Sequence, residues 1–360
     1  MLSLHLPINS VSFGQVSFPI TKELIKRGKE FCLSPIGPID TSSHKTDDET
    51  NLTIQKASGR FLSTHNRSNP IFKLWHLNGS MESFSNKQVL LSFYELDAPT
   101  REEVNIVNNN HKVLFTSEYT VNVFKSLGCN NVEYVPLGFD ADNFQVKNKK
   151  YFNDDRITFN IVGKLEKRKN HAKMIRSWVN KYGNNPQYSL QCAVFNPFIK
   201  AEDNNKLIGQ VLEGKKYFNV QFLGFMQKNE VYNDFLNSAD VILGMSGGEG
   251  WGLPEFHSVA LGKHAVIMNA HGYKGWATEE NSVLVNPSGK TPAADGMFFR
   301  QGDIFNQGNI FDFDEKEFID GCEKAVARVK QNRVNESGLK LQADFSYAKT
   351  TDKILEALTL

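Results

Sequence analysis

A chain of 360 residues with 40% hydrophobic and 22% charged residues has room for two soluble domains of ordinary size, each with its own core. The formal charge of +1 offers no global electrostatic reason for a nucleic-acid or membrane partner, so only local basic patches could supply one. The amino terminus MLSLHLPINSVSFGQ has no basic leader before an apolar run, and no window approaches eighteen apolar residues, so no integral membrane segment is expected. A cytoplasmic location is the expectation, with peripheral attachment to a membrane left open. Cys32, Cys129, Cys192 and Cys322 stand far apart without a C-x-x-C pair, which speaks against zinc and suits reduced, buried thiols.

Taken in order, residues 2–6 are expected as a first strand, followed by a polar loop over 9–15 that contains Gly14. From Pro19 the spacing is helical, with Leu24 and Ile25 on one face and Lys22, Lys26, Arg27 and Lys29 on the other. Residues 35–70 are polar and show no clear periodicity. Residues 71–77 and 89–94 read as strands that run into His76-Leu-Asn-Gly79 and Glu95-Leu-Asp-Ala-Pro99. An open α/β sheet places its ligand groups where strands stop, so His76 and Glu95 are candidates, beside the plainer readings of a structural histidine and a capping or surface glutamate. A strand at 113–117, an amphipathic helix to 127 and a strand at 132–136 complete this alternation.

The charged stretch 146–156 reads as a linker between domains at 1–145 and 157–343. Beyond it, strands near 157–162, 188–195, 219–223, 240–245 and 264–268 alternate with helices near 170–182, 202–213, 229–237 and 254–262. That is the pattern of a doubly wound parallel sheet, so the fold class is α/β. Gly163-Lys164-Leu-Glu-Lys-Arg-Lys169 follows the first of these strands. A glycine turn with cations at a strand's carboxyl end suits a diphosphate, whose charge must be offset, although alone such a run also reads as a solvated turn. Later, Val241 to Met245 form a short apolar strand and Ser246-Gly-Gly-Glu249-Gly250 a loop. Pro254 suits a first helical position and Gly262 the residue past a helix end. That helix would aim its unpaired N–H groups at the strand ends, which favours an anion there.

Glu249-Gly-Trp-Gly-Leu-Pro254 resembles the E-G-[FW]-G-L-P signature of retaining glycosyltransferases with the GT-B fold, close to glycosyltransferase family 4 (group 1). Pro136-Leu-Gly-Phe-Asp140 through Phe144 is similar to the segment with which such enzymes leave their first domain, and Val220-Gln-Phe-Leu-Gly224-Phe225 to a strand near the nucleotide base. The resemblance implies two Rossmann-like doubly wound domains facing across a cleft, with the terminal helix over 344–360 packing back on the first. It implies transfer of a hexose-type sugar from a nucleoside-diphosphate sugar, UDP or GDP undistinguished, with retention, without metal and with no further cofactor. The acceptor hydroxyl is open: glycan, lipid or a modified DNA base, the last being the one role left for nucleic acid.

By the same resemblance Glu249, Lys169, Lys164 and His76 form the catalytic group, with Glu249 on donor-sugar hydroxyls and the lysines on the departing diphosphate. Gly14, Gly163, Gly224, Phe225, Ser246, Gly250, Trp251, Gly252, Leu253 and Pro254 would line the donor, and Glu95 would face the acceptor. Lys164 stands where relatives carry Arg, which keeps the charge and gives up the bidentate fork. His257 stands where they carry a second Glu on the ribose hydroxyls. An imidazole can still bond one hydroxyl, or the ring is packed and the ribose is held otherwise; Glu255 is turned to roughly the opposite side of the helix.

Three patterns are set aside. Gly209 to Lys215 fits part of a phosphate-loop motif, but Lys216 replaces its Ser/Thr. Asp140-Ala-Asp142 and Asp312-Phe-Asp314 spell D-x-D away from the expected site. Gly250-x-Gly252 lacks a third glycine, which speaks against a nicotinamide oxidoreductase. A non-catalytic sugar-nucleotide or glycan-binding module is the other alternative, supported by the changes at 164 and 257.

Overall fold

The computed structural model describes residues 1–152 and 154–359. Its first half is an all-parallel sheet of β1 (Leu2–Leu6), β2 (Phe31–Pro35), β3 (Ile71–Leu74), β4 (Gln88–Ser92), β5 (Lys112–Phe115) and β6 (Val132–Tyr134), in the order β2-β1-β3-β4-β5-β6. It is flanked by α1 (Ser12–Lys26), α2 (Asp48–Gly59), α3 (Phe61–Thr64), α4 (Arg101–Asn108) and α5 (Glu118–Ser126). The second half repeats the plan with β7 (Ile157–Val162), β8 (Tyr188–Ala193), β9 (Val220–Phe222), β10 (Val241–Gly244), β11 (His264–Met268) and β12 (Val283–Val285), in the order β12-β11-β10-β7-β8-β9. Between these strands run α6 (His171–Tyr182), α7 (Ala201–Val211), α8 (Asn229–Asn237) and α9 (Leu253–Ala260). Every residue of β7, β10 and β11 is buried, as strands covered by helices on both faces must be, and their runs are mainly apolar, with Thr158, Asn160 and His264 as the buried polar exceptions.

Both sheets are doubly wound, as the alternation predicts. Two elements of the first half differ from the sequence reading. The first helix starts at Ser12, seven residues before Pro19, and has no side-chain cap at Val11, so no start signal marks it. Gly14 therefore lies in a helical turn and not in a loop. The unpatterned stretch 35–70 contains α2, which buries only Thr50, Ile54 and Ala57, too narrow a stripe to stand out among polar neighbours.

After β12 the chain forms an antiparallel hairpin, β13 (Gly289–Pro292) and β14 (Asn309–Asp312), then α10 (Glu315–Gln331), α11 (Glu336–Leu339), α12 (Leu341–Asp344) and α13 (Tyr347–Ala357). The hairpin arm leaves the second sheet and docks on the first half. Its Ala293, Phe299 and Ile310 are buried in one cluster with Leu77, Leu90, Tyr94 and Leu96. At the rim Lys290 Nζ lies 2.8 Å from Asp97 Oδ2, Asn309 N donates to Asp97 Oδ1 at 2.7 Å, and Thr100 Oγ1 donates to Ile304 O at 2.7 Å. Helix α13 packs on α1, where Arg27 Nη1 meets Asp352 Oδ1 at 2.6 Å, and Thr350 Oγ1 donates to Pro136 O at 2.9 Å.

Candidate active site

Strand order decides where a ligand can sit. In the second sheet the order reverses between β7 and β10, so a crevice opens beyond their carboxyl ends. The two chain segments that leave those ends are Gly163 to Lys169 and Met245 to Gly252, the cationic turn and the signature loop. In the first sheet the reversal falls between β1 and β3, whose exits carry Pro7 to Ser10 and Trp75-His76.

The two loops of the second half meet side chain to side chain. Lys169 Nζ donates to Glu249 Oε1, and each side chain keeps 9% exposure. Arg168, which the sequence reading did not single out, is buried at their centre. Its Nη1 donates to Gly248 O and lies 3.3 Å from Glu249 Oε1, its Nη2 donates to Glu166 Oε1 at 2.8 Å, and Nη1 stands 3.9 Å from Glu95 Oε1 across the crevice. Only a planar guanidinium reaches so many acceptors at once. Burial alone would raise the Glu249 pKa, but Lys169 and Arg168 outweigh it and hold the carboxyl well below its ordinary range. Glu249 is thus an anion presented by two cations.

Lys164 sits differently. Its ammonium is 3.6 Å from Glu166 Oε2 and lies over the rings of Phe298 at 4.4 Å and Phe198 at 5.2 Å, so it is held by aromatic faces while a third of the side chain stays open. Phe298 belongs to the docked arm. Lys167, next along, anchors the same arm by donating to Pro292 O at 2.7 Å and Ala294 O at 3.0 Å. The four cations of the run therefore have separate tasks.

The signature loop also rests on the first half. Thr116 Oγ1 donates to Gly250 O at 2.8 Å, and a Cβ at Gly250 would stand 3.0 Å from Phe93 Cβ, so a larger residue would push the halves apart. Gly252 caps α9 at φ 82, a conformation side-chain-bearing residues rarely adopt, and Leu253 and Pro254 begin the helix. Ser246 is buried, with Oγ 3.2 Å from Gly248 O. Gly163 ends β7 at φ 122, beside Lys169 and His171.

From the first half, Glu95 faces Arg168 and Glu249. Burial, with repulsion from Glu249 and Glu166, raises its pKa despite Arg168. His76 has an exposed ring, yet it sits deep enough in the crevice to be desolvated, and the Lys164 and Arg168 charges add to that, lowering its pKa to about 4. It is neutral at pH 7. Phe13, beside Gly14, packs at a tilt against His76 with centroids 4.3 Å apart, and Gly14 itself packs against Asn9. Gly224 has open space where a Cβ would be, and Phe225 is half exposed beyond β9.

Two candidates point elsewhere. The Trp251 side chain is turned into the core against Phe256 and Phe345, and only its backbone faces the loop, where Trp251 O accepts from Trp276 Nε1 at 2.9 Å. The His257 ring is stacked on Phe144 with centroids 4.1 Å apart and edge-on to Phe139, and both nitrogens are buried without a partner among the described residues. In this structure it offers no nitrogen to the crevice. The signal that reveals this is Phe144 itself, a hundred residues upstream.

Residues 142–296 match the sequence model of the family described as glycosyl transferases group 1. Comparison with curated proteins finds no match. Among solved structures, the chain is similar to a sucrose-phosphate synthase from Thermosynechococcus elongatus, with TM-score 0.70 and 14% identity over 99% of this chain and 97% of that one. It is also similar to Anabaena HepE in complex with UDP and glucose, with TM-score 0.66 and 15% identity over 100% and 99%. A glycosyltransferase from Rickettsia africae ESF-5 gives TM-score 0.69 and 11% identity over 99% and 97%. At these identities the likeness is one of fold, two parallel-sheet halves across a crevice.

Proposed function

We propose that the chain, whose residues 142–296 match the group 1 glycosyl transferase model and whose two halves have the GT-B fold, is a glycosyltransferase that moves a hexose-type sugar from a nucleoside-diphosphate donor to an acceptor hydroxyl with retention of configuration. The observation that carries this reading is the buried Lys169–Glu249 pair at the sheet's reversal point, with Lys164 beside it. In the proposed mechanism Lys169 and Lys164, with the N–H groups that begin α9, offset the charge growing on the diphosphate as the glycosidic bond breaks. Glu249, held anionic, accepts hydrogen bonds from donor-sugar hydroxyls. No protein nucleophile is required: the leaving phosphate takes the acceptor proton on the face from which it departs. His76, neutral at pH 7, and Glu95 line the opposite wall, toward the acceptor. A UDP- or GDP-sugar serves as co-substrate without a further cofactor, and HepE, crystallised with UDP and glucose, has the same fold.

No helix among the described residues is long and apolar enough to cross a membrane. The test is donor-dependent release of free nucleoside diphosphate, screened over nucleotide sugars chosen by thermal shift, since a ligand bound to the folded state raises stability by mass action. A binding module would show the shift without release. Absence of both defeats the reading.

A further inference from the structure

In the first turn of α9, Glu255 is 2% exposed and its Oε2 has no hydrogen-bond partner among the described residues. Its side chain runs under the sheet: a Cβ at Gly244, the last residue of β10, would stand 2.6 Å from Glu255 Cγ and 2.8 Å from Ile267 Cδ1 of β11. Tyr273 shares this space. Its hydroxyl lies close to the carboxyl without an aligned hydrogen bond, and it too is buried without a partner. Gly252 is wedged between the two, with Glu255 Oε2 3.2 Å from its Cβ position and the Tyr273 ring in direct contact. The turn that caps the signature helix thus rests on a Glu255–Tyr273 pair.

The charges that face Glu255 are Lys169 from the cationic turn and Glu249 from the signature loop; Tyr273 and, from α8, Tyr232 complete the titratable groups around it. The two buried cations of the turn are both engaged, while Lys164 keeps a third of its side chain open. Lys169 is paired with Glu249, and Arg168 is shared among Glu249, Glu166 and Glu95. A diphosphate arriving at Lys169 adds negative charge to a buried cluster already rich in carboxyls, and such a cluster cannot keep every carboxyl ionised.

We propose that Glu255 is a positioning residue that works as the neutral acid: when a nucleoside diphosphate binds, its carboxylate takes one proton from solvent and keeps the Gly252 turn seated on Tyr273. This rests on the donor reading given above. Burial and the Glu249 charge, against Lys169, place the Glu255 pKa at about 7 in the free protein. Uptake is therefore largest on the alkaline side of neutrality.

The experiment is calorimetric titration of the full chain with UDP and with GDP at about pH 8, in buffers of different ionisation enthalpy. Wild type should take up roughly half a proton or more per nucleotide bound. Glu255→Gln should bind with that uptake gone, and equal uptake in both overturns the proposal. A second arm needs no nucleotide. A carboxyl whose folded pKa exceeds its unfolded value costs stability as pH rises between the two. Wild type should therefore lose stability relative to Glu255→Gln from about pH 4.5 to about pH 7, with a constant difference above. Parallel curves overturn the neutral acid. If neither nucleotide binds while the curves diverge, the donor reading and the uptake step fail and the neutral Glu255 stands. Should Glu255→Gln not fold, Tyr273→Phe removes the hydroxyl that lowers the carboxyl's pKa, so the uptake midpoint must move to higher pH; an unmoved midpoint overturns the pairing.

Discussion

Replacing Lys169 by Ala tests two consequences of one contact. The lysine and Glu249 are each 9% exposed, so the change leaves a buried carboxylate with Arg168 Nη1, 3.3 Å away, as its remaining cation. Breaking one side of a buried pair costs about 3–5 kcal/mol, and the surviving Arg168 contact favours the lower end. The catalytic consequence is separate. A charge-assisted contact made to the leaving diphosphate is worth roughly 1.5–3 kcal/mol, which at about 1.4 kcal/mol per decade is roughly tenfold to a hundredfold in turnover.

The assay is nucleoside-diphosphate release at saturating donor per folded enzyme, beside a denaturant melt. Lys169→Ala with Glu249→Gln removes the orphaned charge, so it should recover stability without recovering turnover. Lys167 cannot serve as the silent control, because it holds the arm through Pro292 O and Ala294 O; Lys206, on the exposed face of α7, can. Full turnover in Lys169→Ala at saturating donor would refute the assignment, and so would recovery of turnover in the double variant.

His257→Phe should leave nucleotide affinity unchanged, because the ring is packed on Phe144 and presents no nitrogen to the crevice; a tenfold loss by calorimetry would restore the ribose role. The same variant tests acid stability. Burial pulls the His257 pKa from 6.5 to about 3, so the stability of its neutral form is complete above the unfolded value and drains away as pH falls through it. The melting profile of His257→Phe should be flatter between about pH 6.5 and pH 4, by up to about 1.4 kcal/mol per pH unit. Phe299→Ala empties an arm position buried in the first half's cluster and should cost about 3–5 kcal/mol by denaturant melt; a change below about 1 kcal/mol would mean that the arm is not docked in solution. Since lysines and a helix N-terminus are proposed to stabilise the leaving group, chelator should leave transfer unchanged, and loss reversed by divalent metal would overturn that assignment.

What this sequence determines by itself is local. Strands β7 and β11 have the bounds that their mainly apolar runs suggest, although only the fold shows that Thr158, Asn160 and His264 within them are buried as well. The signature loop is legible for a similar reason: glycines, a proline at the first helical turn and an acidic residue state backbone conformation and charge within a few positions. Tertiary structure alone decides what those charges meet. Nothing in Lys167-Arg168-Lys169 says that the first anchors an arm, the second links carboxyls of both halves and the third is locked to Glu249, since each of these partners lies about seventy residues or more away. Likewise Gly14 reads as loop until Ser12 begins a helix without a cap, and Trp251 and His257 read as site residues until Phe345 and Phe144 arrive to bury them. Periodicity and backbone permissiveness are written residue by residue; burial and ionisation are sums over neighbours that only the folded chain brings together.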